Sequence, residues 1–182
     1  HPDTDDPNDS VQLKNGLITA KVTVTDADGD KDVADVDVGA LFTFYDDGPT
    51  ASLDLVDDAS ISVDETADDD DVTGALGQAT ADLVTSAASV YGADGAGTTA
   101  FSLVLSAAGA DSGLKLTNET VIKLYDNNGT IEGRAGDENG AVAFDIKIDG
   151  TTGEVTLTQY LSLYHPDTDD PNDSVQLKNG LI

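Results

Sequence analysis

Cysteine, methionine and tryptophan are absent from the 182 residues, and basic side chains are scarce. Eight Lys and Arg face 36 Asp and Glu, for a formal net charge of −28. Each shortage excludes something. Without cysteine there are no disulfides, thiolate metal sites or cysteine nucleophiles. So negative a chain repels nucleic-acid phosphates and anionic membranes, and neither is expected as a partner. No apolar run approaches the ~20 residues that span a bilayer. The two histidines, His1 and His165, occupy one position of a repeated segment, and Arg134 is the sole arginine. Nucleophilic or acid–base catalysis therefore lacks its usual parts, and the chain is not expected to be an enzyme. Five Tyr, four Phe and no Trp also make a poor aromatic platform for sugars.

What is present is repetition. The segment HPDTDDPNDSVQLKNGLI opens the chain as His1–Ile18 and returns unchanged as His165–Ile182, an offset of 164 residues. Identity over a mixed segment of this length predicts one full period of a tandem array plus an overlap, with both ends inside a repeat. The acidity is also biased: 31 of the 36 acids are aspartate. Aspartate is favoured in turns and in oxygen cages around hard cations.

Hydrophobic periodicity points to strands. Ile18, Ala20, Val22 and Val24 alternate with Thr19, Lys21, Thr23 and Thr25, and Ala34, Val36 and Val38 alternate with Asp35 and Asp37. Such alternation predicts a hairpin with one face inward and an acidic tip at Asp26–Asp32. Leu41–Tyr45 is a further short strand. Asp46-Asp47-Gly48-Pro49 breaks the pattern and predicts a domain boundary near Pro49. Residues 1–49 are then the C-terminal part of one repeat, and 50–182 the N-terminal part of the next. Beyond it, strands are expected at Ser52–Val56, Ser60–Val63, Phe101–Ser106, Thr120–Tyr125, Thr130–Arg134, Ala141–Asp149 and Glu154–Gln159. The Ala-, Leu- and Ser-rich Ala79–Val90 suggests one short helix. Many short strands with evenly spaced turns predict an all-β, Ig-like or cadherin-like sandwich.

Three acidic groups are candidate calcium sites. The tip places Asp26, Asp28, Asp30 and Asp32 within seven residues. Calcium accepts irregular cages of six to eight oxygens. This is not an EF-hand, since Gly29 falls fourth rather than sixth; a solvated Asp-Gly turn is the alternative. Asp46 and Asp47 at the linker, with Asp64 and Glu65 one short hairpin away, form a second candidate against a plain acidic linker. The third, His1–Asp6 with Asp9 and its copy at His165–Asp173, reads first as a solvated turn. Asp68–Asp71 reads as a solvated run.

Several motifs occur in an order similar to that of a known family. They are Tyr-Gly-Ala-Asp-Gly (Tyr91–Gly95), Asp-Ser-Gly-Leu (Asp111–Leu114), Gly-Thr-Ile-Glu-Gly-Arg (Gly129–Arg134) and Thr-Gly-Glu-Val-Thr-Leu-Thr-Gln (Thr152–Gln159). With them stand His-Pro-Asp-Thr-Asp-Asp-Pro, Val-Thr-Asp-Ala-Asp-Gly-Asp (Val24–Asp30) and Asp-Asp-Gly-Pro (Asp46–Pro49). Read circularly, nearly the whole period resembles the large tandem repeat of type 1-secreted RTX adhesins, giant bacterial surface proteins. The resemblance implies a calcium-dependent Ig-like extender, extracellular and on the bacterial surface, that holds distal ligand-binding domains away from the cell. It also implies linker calcium ions, here at Asp46 and Asp47. The partners implied are neighbouring copies of the repeat, head to tail. The alternative is a carbohydrate- or protein-binding module of the same adhesin. One further expectation follows from the overlap: residues 19–49 of one molecule complete the sandwich begun by residues 51–164 of a neighbour.

Overall fold

A computed structural model describes residues 6, 8–65, 74–167, 169, 170 and 172–181. Two compact units divide the chain. One comprises His1–Ser52 and Ala88–Gly97, the other Leu53–Ala87 and Thr98–Ile182.

The first unit is built from two small antiparallel ladders. β1 (Ser10–Gln12) pairs with β4 (Thr43–Tyr45), and β2 (Thr19–Thr25) with β3 (Lys31–Asp37). A single 3-10 turn, Gly39–Leu41, precedes β4. The β2–β3 register places Ala20 opposite Val36, Val22 opposite Ala34 and Val24 opposite Asp32. The alternation thus separates an apolar from a polar face as expected, but every residue of both strands is exposed. The face read as inward lies open.

The second unit contains β5 (Asp54–Leu55), β6 (Gly77–Asp82), β7 (Val84–Thr85), β8 (Ala110–Lys115), β9 (Val121–Asn127), β10 (Thr130–Ala135), β11 (Val142–Ile148) and β12 (Glu154–Gln159). Six of these form one antiparallel sheet in the order β6-β12-β11-β10-β9-β8. β8 to β12 run as a meander, and β6 closes the far edge against β12. The fold is all-β and sandwich-like. Asn128 and Gly129, with φ of 54° and 85°, make the two-residue turn between β9 and β10. That pair of left-handed conformations is what an Asn-Gly hairpin turn requires.

Register decides where the core sits. Ile131 faces Ile146, which faces Leu157, and Gly133 faces both Leu124 and Phe144. One sheet face is therefore apolar, and Ile122, Leu124 and Ile131 are wholly buried. No second regular sheet covers this face among the described residues. Leu103, Leu105, Leu161, Val175, Leu177 and Leu181, from irregular segments, pack against it instead.

Three expected elements differ. Ala79–Val90 is not helical: β6 and β7 occupy it, because Ala79 and Ala81 pair with Leu157 and Val155 of an otherwise open sheet edge. Tertiary pairing outweighs the helix propensity of Ala and Leu. Phe101–Ser106 forms no ladder strand, since Phe101 N–H donates to Gly150 and Ser106 N–H to Leu181 at the two ends of the segment. Ser60–Val63 is also irregular, contributing Ile61 to the core periphery. Conversely, β8 arises where no strand was expected; its Gly113, at φ 86°, masks the strand pattern.

Gly133 lies beneath the Phe144 ring, where any Cβ would collide with ring carbons. Overpacking of this kind costs about 1–3 kcal/mol. Gly133→Ala should lower the urea midpoint accordingly, with an unchanged slope.

Candidate functional sites

The acidic tip is shaped by its own backbone. Asp26 N–H donates to Asp30 O at 3.0 Å, and Gly29, at φ 100°, turns the chain. Asp26 Oδ1 accepts the N–H of Asp30 at 2.9 Å and of Gly29 at 3.1 Å. This folding brings one carboxylate oxygen each from Asp26, Asp28 and Asp30 within 4.8 Å of one another, all exposed. Asp32 is not part of the group. It already lies in β3, and its Oδ1 accepts the N–H of Val33. The hydrogen bond shared with the Asp28 side chain, followed by backbone N–H groups, holds the Asp26 carboxyl below its ordinary range. The same closeness becomes repulsion once both acids are ionised. A hard divalent cation relieves that repulsion, and three carboxylates plus water suit calcium's oxygen preference. The donor set therefore fits the ion.

The linker acids are placed differently. Asp46 and Asp47 belong to the first unit, Asp64 and Glu65 to the second. Asp46 Oδ1 accepts Asp47 N–H at 2.9 Å. Glu65 Oε1 accepts the Gln159 side-chain amide at 2.7 Å and Leu163 N–H at 2.8 Å, which ties it to the end of β12. Within the first unit the linker is clasped by the Tyr91–Gly95 motif. Ala93 N–H donates to Asp47 O, Thr50 and Val90 exchange both backbone bonds at 2.9 Å, and Ser89 Oγ bridges to Ser52. Gly92, at φ 78°, permits the approach, for a Cβ there would run into Asp47 O. Residues 1–5 of the third acidic loop and the whole run Asp68–Asp71 lie outside the described residues.

A polar network on the sheet face opposite the apolar core carried no sequence signal, and its Asp145 is buried. Glu132 pairs with Asp145 across β10 and β11. Arg134 Nε donates to Glu132 at 2.7 Å, Lys147 Nζ lies 3.2 Å from Asp145 Oδ2, and Tyr160 O–H donates to the same oxygen at 2.8 Å. Burial opposes ionisation of Glu132, but Asn127 and Arg134 outweigh it and hold the carboxyl below its ordinary range. Ala143 is the extra residue of a bulge; its carbonyl accepts from Tyr160 and Leu161, which aims the phenol at Asp145. The oppositely charged partners brace the sheet, and the second oxygen of the buried Asp145 carboxylate, Oδ1, has no hydrogen-bond partner among the described residues.

Taken together, the geometry defines an all-β, sandwich-like chain with an acidic hairpin tip and a clasped Asp47–Ser52 segment. The family model described as Domain of unknown function (DUF5801) matches residues 1–39 and 60–182, and the chain belongs to that family. No curated protein and no solved structure matches the chain.

Burial and then the Asp145 carboxylate push the Tyr160 phenol up to about 12. An unfolded tyrosine ionises near pH 10. The neutral phenol's contribution is therefore intact below about pH 10 and is lost as pH rises through the folded value. Phenolate absorbance should show one of the five tyrosines titrating late. Tyr160→Phe should remove that late phase and cost about 1.5–3 kcal/mol, the worth of one hydrogen bond to a charged group.

Proposed function

We propose that the chain is one period of an extender array: a rigid spacer stiffened by calcium at the Asp26, Asp28 and Asp30 tip, from a bacterial surface adhesin. The observation that carries this reading is the unchanged return of an 18-residue segment after 164 residues. Projection over distance is served by identical copies, whereas recognition is served by one differentiated site. The reading is non-catalytic, and the location it implies is extracellular. Neighbouring copies of the repeat are its partners.

Two physical features support it. The high negative charge disfavours non-specific clumping of adjacent copies. The clasp of Asp47–Ser52 by Ser89–Ala93 stiffens the segment after Asp46 by direct hydrogen bonds, without requiring an ion. That segment is thus held before any ion binds at Asp46 or Asp47.

Thermal unfolding in calcium and in chelator tests the metal. An ion that binds only the folded state at 100 times its dissociation constant adds about 2.7 kcal/mol. The midpoint should rise with calcium, and Asp28→Asn should remove most of the rise; equal midpoints in calcium and chelator would sink the calcium reading. Gly92→Ala tests the clasp separately. In a chain of three periods it should lower the persistence of the array measured by small-angle scattering, and it should also lower the stability of the first unit, because the clash with the Asp47 carbonyl lies within that unit.

A further inference from the structure

The two copies of the repeated segment begin alike and end differently. In both, the same turn forms. Asn8 N–H donates to Asp6 Oδ1 at 3.0 Å and Asn172 N–H to Asp170 Oδ1 at 2.9 Å; Asp9 N–H reaches Asp6 O and Asp173 N–H reaches Asp170 O. Beyond the turn they part. Ser10–Gln12 is β1, paired with β4, and Val11 and Leu17 are 37% and 64% exposed. The equivalent Ser174–Gln176 forms no strand, and Val175 and Leu181 pack on the core of the second unit.

The later copy rests on a built receptor. β8 is bulged between Asp111 and Lys115. Ser112, wholly buried, donates from Oγ to Ile122 O at 2.6 Å and accepts Leu114 N–H, which holds the bulge open. Lys178 N–H donates to Ser112 O at 3.0 Å. The Lys178 methylenes lie over Gly113, where a Cβ would come within 2.8 Å of Cγ. Its ammonium sits 3.0 Å from Asp111 Oδ2. The Asp-Ser-Gly-Leu motif thus has a role: it receives the Val-Gln-Leu-Lys part of the repeated segment.

Each chain holds one such receptor and two identical sequences that fit it. The earlier sequence leads directly into the β2–β3 hairpin, whose Val22, Val24 and Val36 are 56%, 63% and 61% exposed on one apolar face. We propose that Val11–Leu17 of one molecule occupies the Asp111–Gly113 receptor on a second copy of this chain, displacing Val175–Leu181, and that the β2–β3 hairpin follows onto that second molecule. Lys14 takes the place of Lys178 beside Asp111. Exchanging one copy for the other leaves the receptor contacts unchanged. The tethered copy has the advantage of a ~mM effective concentration. The incoming copy brings an apolar sheet face, whose burial is worth about 25 cal/mol per Å². The contact is heterologous, so repeated exchange builds open head-to-tail chains. The inference is independent of calcium.

Weakening the tethered copy should shift the balance. The 182-residue chain carrying Val175→Asp/Leu177→Asp should form concentration-dependent oligomers in sedimentation velocity, and adding Val11→Asp/Leu13→Asp should return it to monomer. A folded V175D/L177D chain that stays monomeric at about 0.1 mM, well below the ~mM of a tether, overturns the proposal. A second measurement needs no destabilised variant, because the chain has no cysteine of its own. Lys14→Cys protein is mixed with Asp111→Cys protein under oxidising conditions. A disulfide-linked dimer should form at least about tenfold faster than with Lys21→Cys in place of Lys14→Cys, reflecting docking rather than collision. Equal rates overturn the proposal.

Discussion

The second unit depends on covering one face of a six-stranded sheet. Ile122, Leu124, Ile131, Phe144 and Ile146 line that face, and water must be kept from it for the sheet to be stable. In a symmetrical sandwich a second sheet does this. Here irregular segments do it, each tied down by a few backbone bonds such as Ser106 N–H to Leu181 O. The cover is consequently modular. Part of it is the repeated segment, whose other copy has the same side chains in a different setting.

Many of the aspartates behind the charge of −28 close turns. Asp126 Oδ1 accepts Gly129 N–H, Asp137 Oδ1 accepts Asn139 N–H, and Asp149 Oδ1 accepts both Thr151 and Thr152 N–H. Those backbone donors hold the Asp149 carboxyl below its ordinary range. Glutamate, one methylene longer, makes such two- and three-residue closures poorly. The bias toward aspartate thus has a structural cause at many positions. The Asp26–Asp30 tip adds something to the same chemistry: its turn gathers three carboxylates at once.

The sequence pattern located the meander well. Alternation in Ala141–Asp149 and Glu154–Gln159 corresponds to β11 and β12. It located the acidic tip as well, although Asp32 lies outside the cluster because the chain has already entered β3. Elements whose state depends on a distant partner were not legible. Ala79–Val90 looked helical by composition, yet the β12 edge recruits it as strand. Phe101–Ser106 looked like a strand, yet it serves as cover. The Glu132–Asp145 network was invisible because its members meet only through the cross-strand register.

The two copies of the repeat separate these contributions. From Asp6 to Asp9 and from Asp170 to Asp173 the sequence alone determines the turn, because each hydrogen bond closes within three residues and needs no partner from elsewhere. From Ser10 and Ser174 onward the same residues become a strand beside Phe44 in one place and a cover over β8 in the other. There the tertiary structure decided. An extended segment has no internal hydrogen bonds, so its backbone takes the conformation of whichever surface satisfies it.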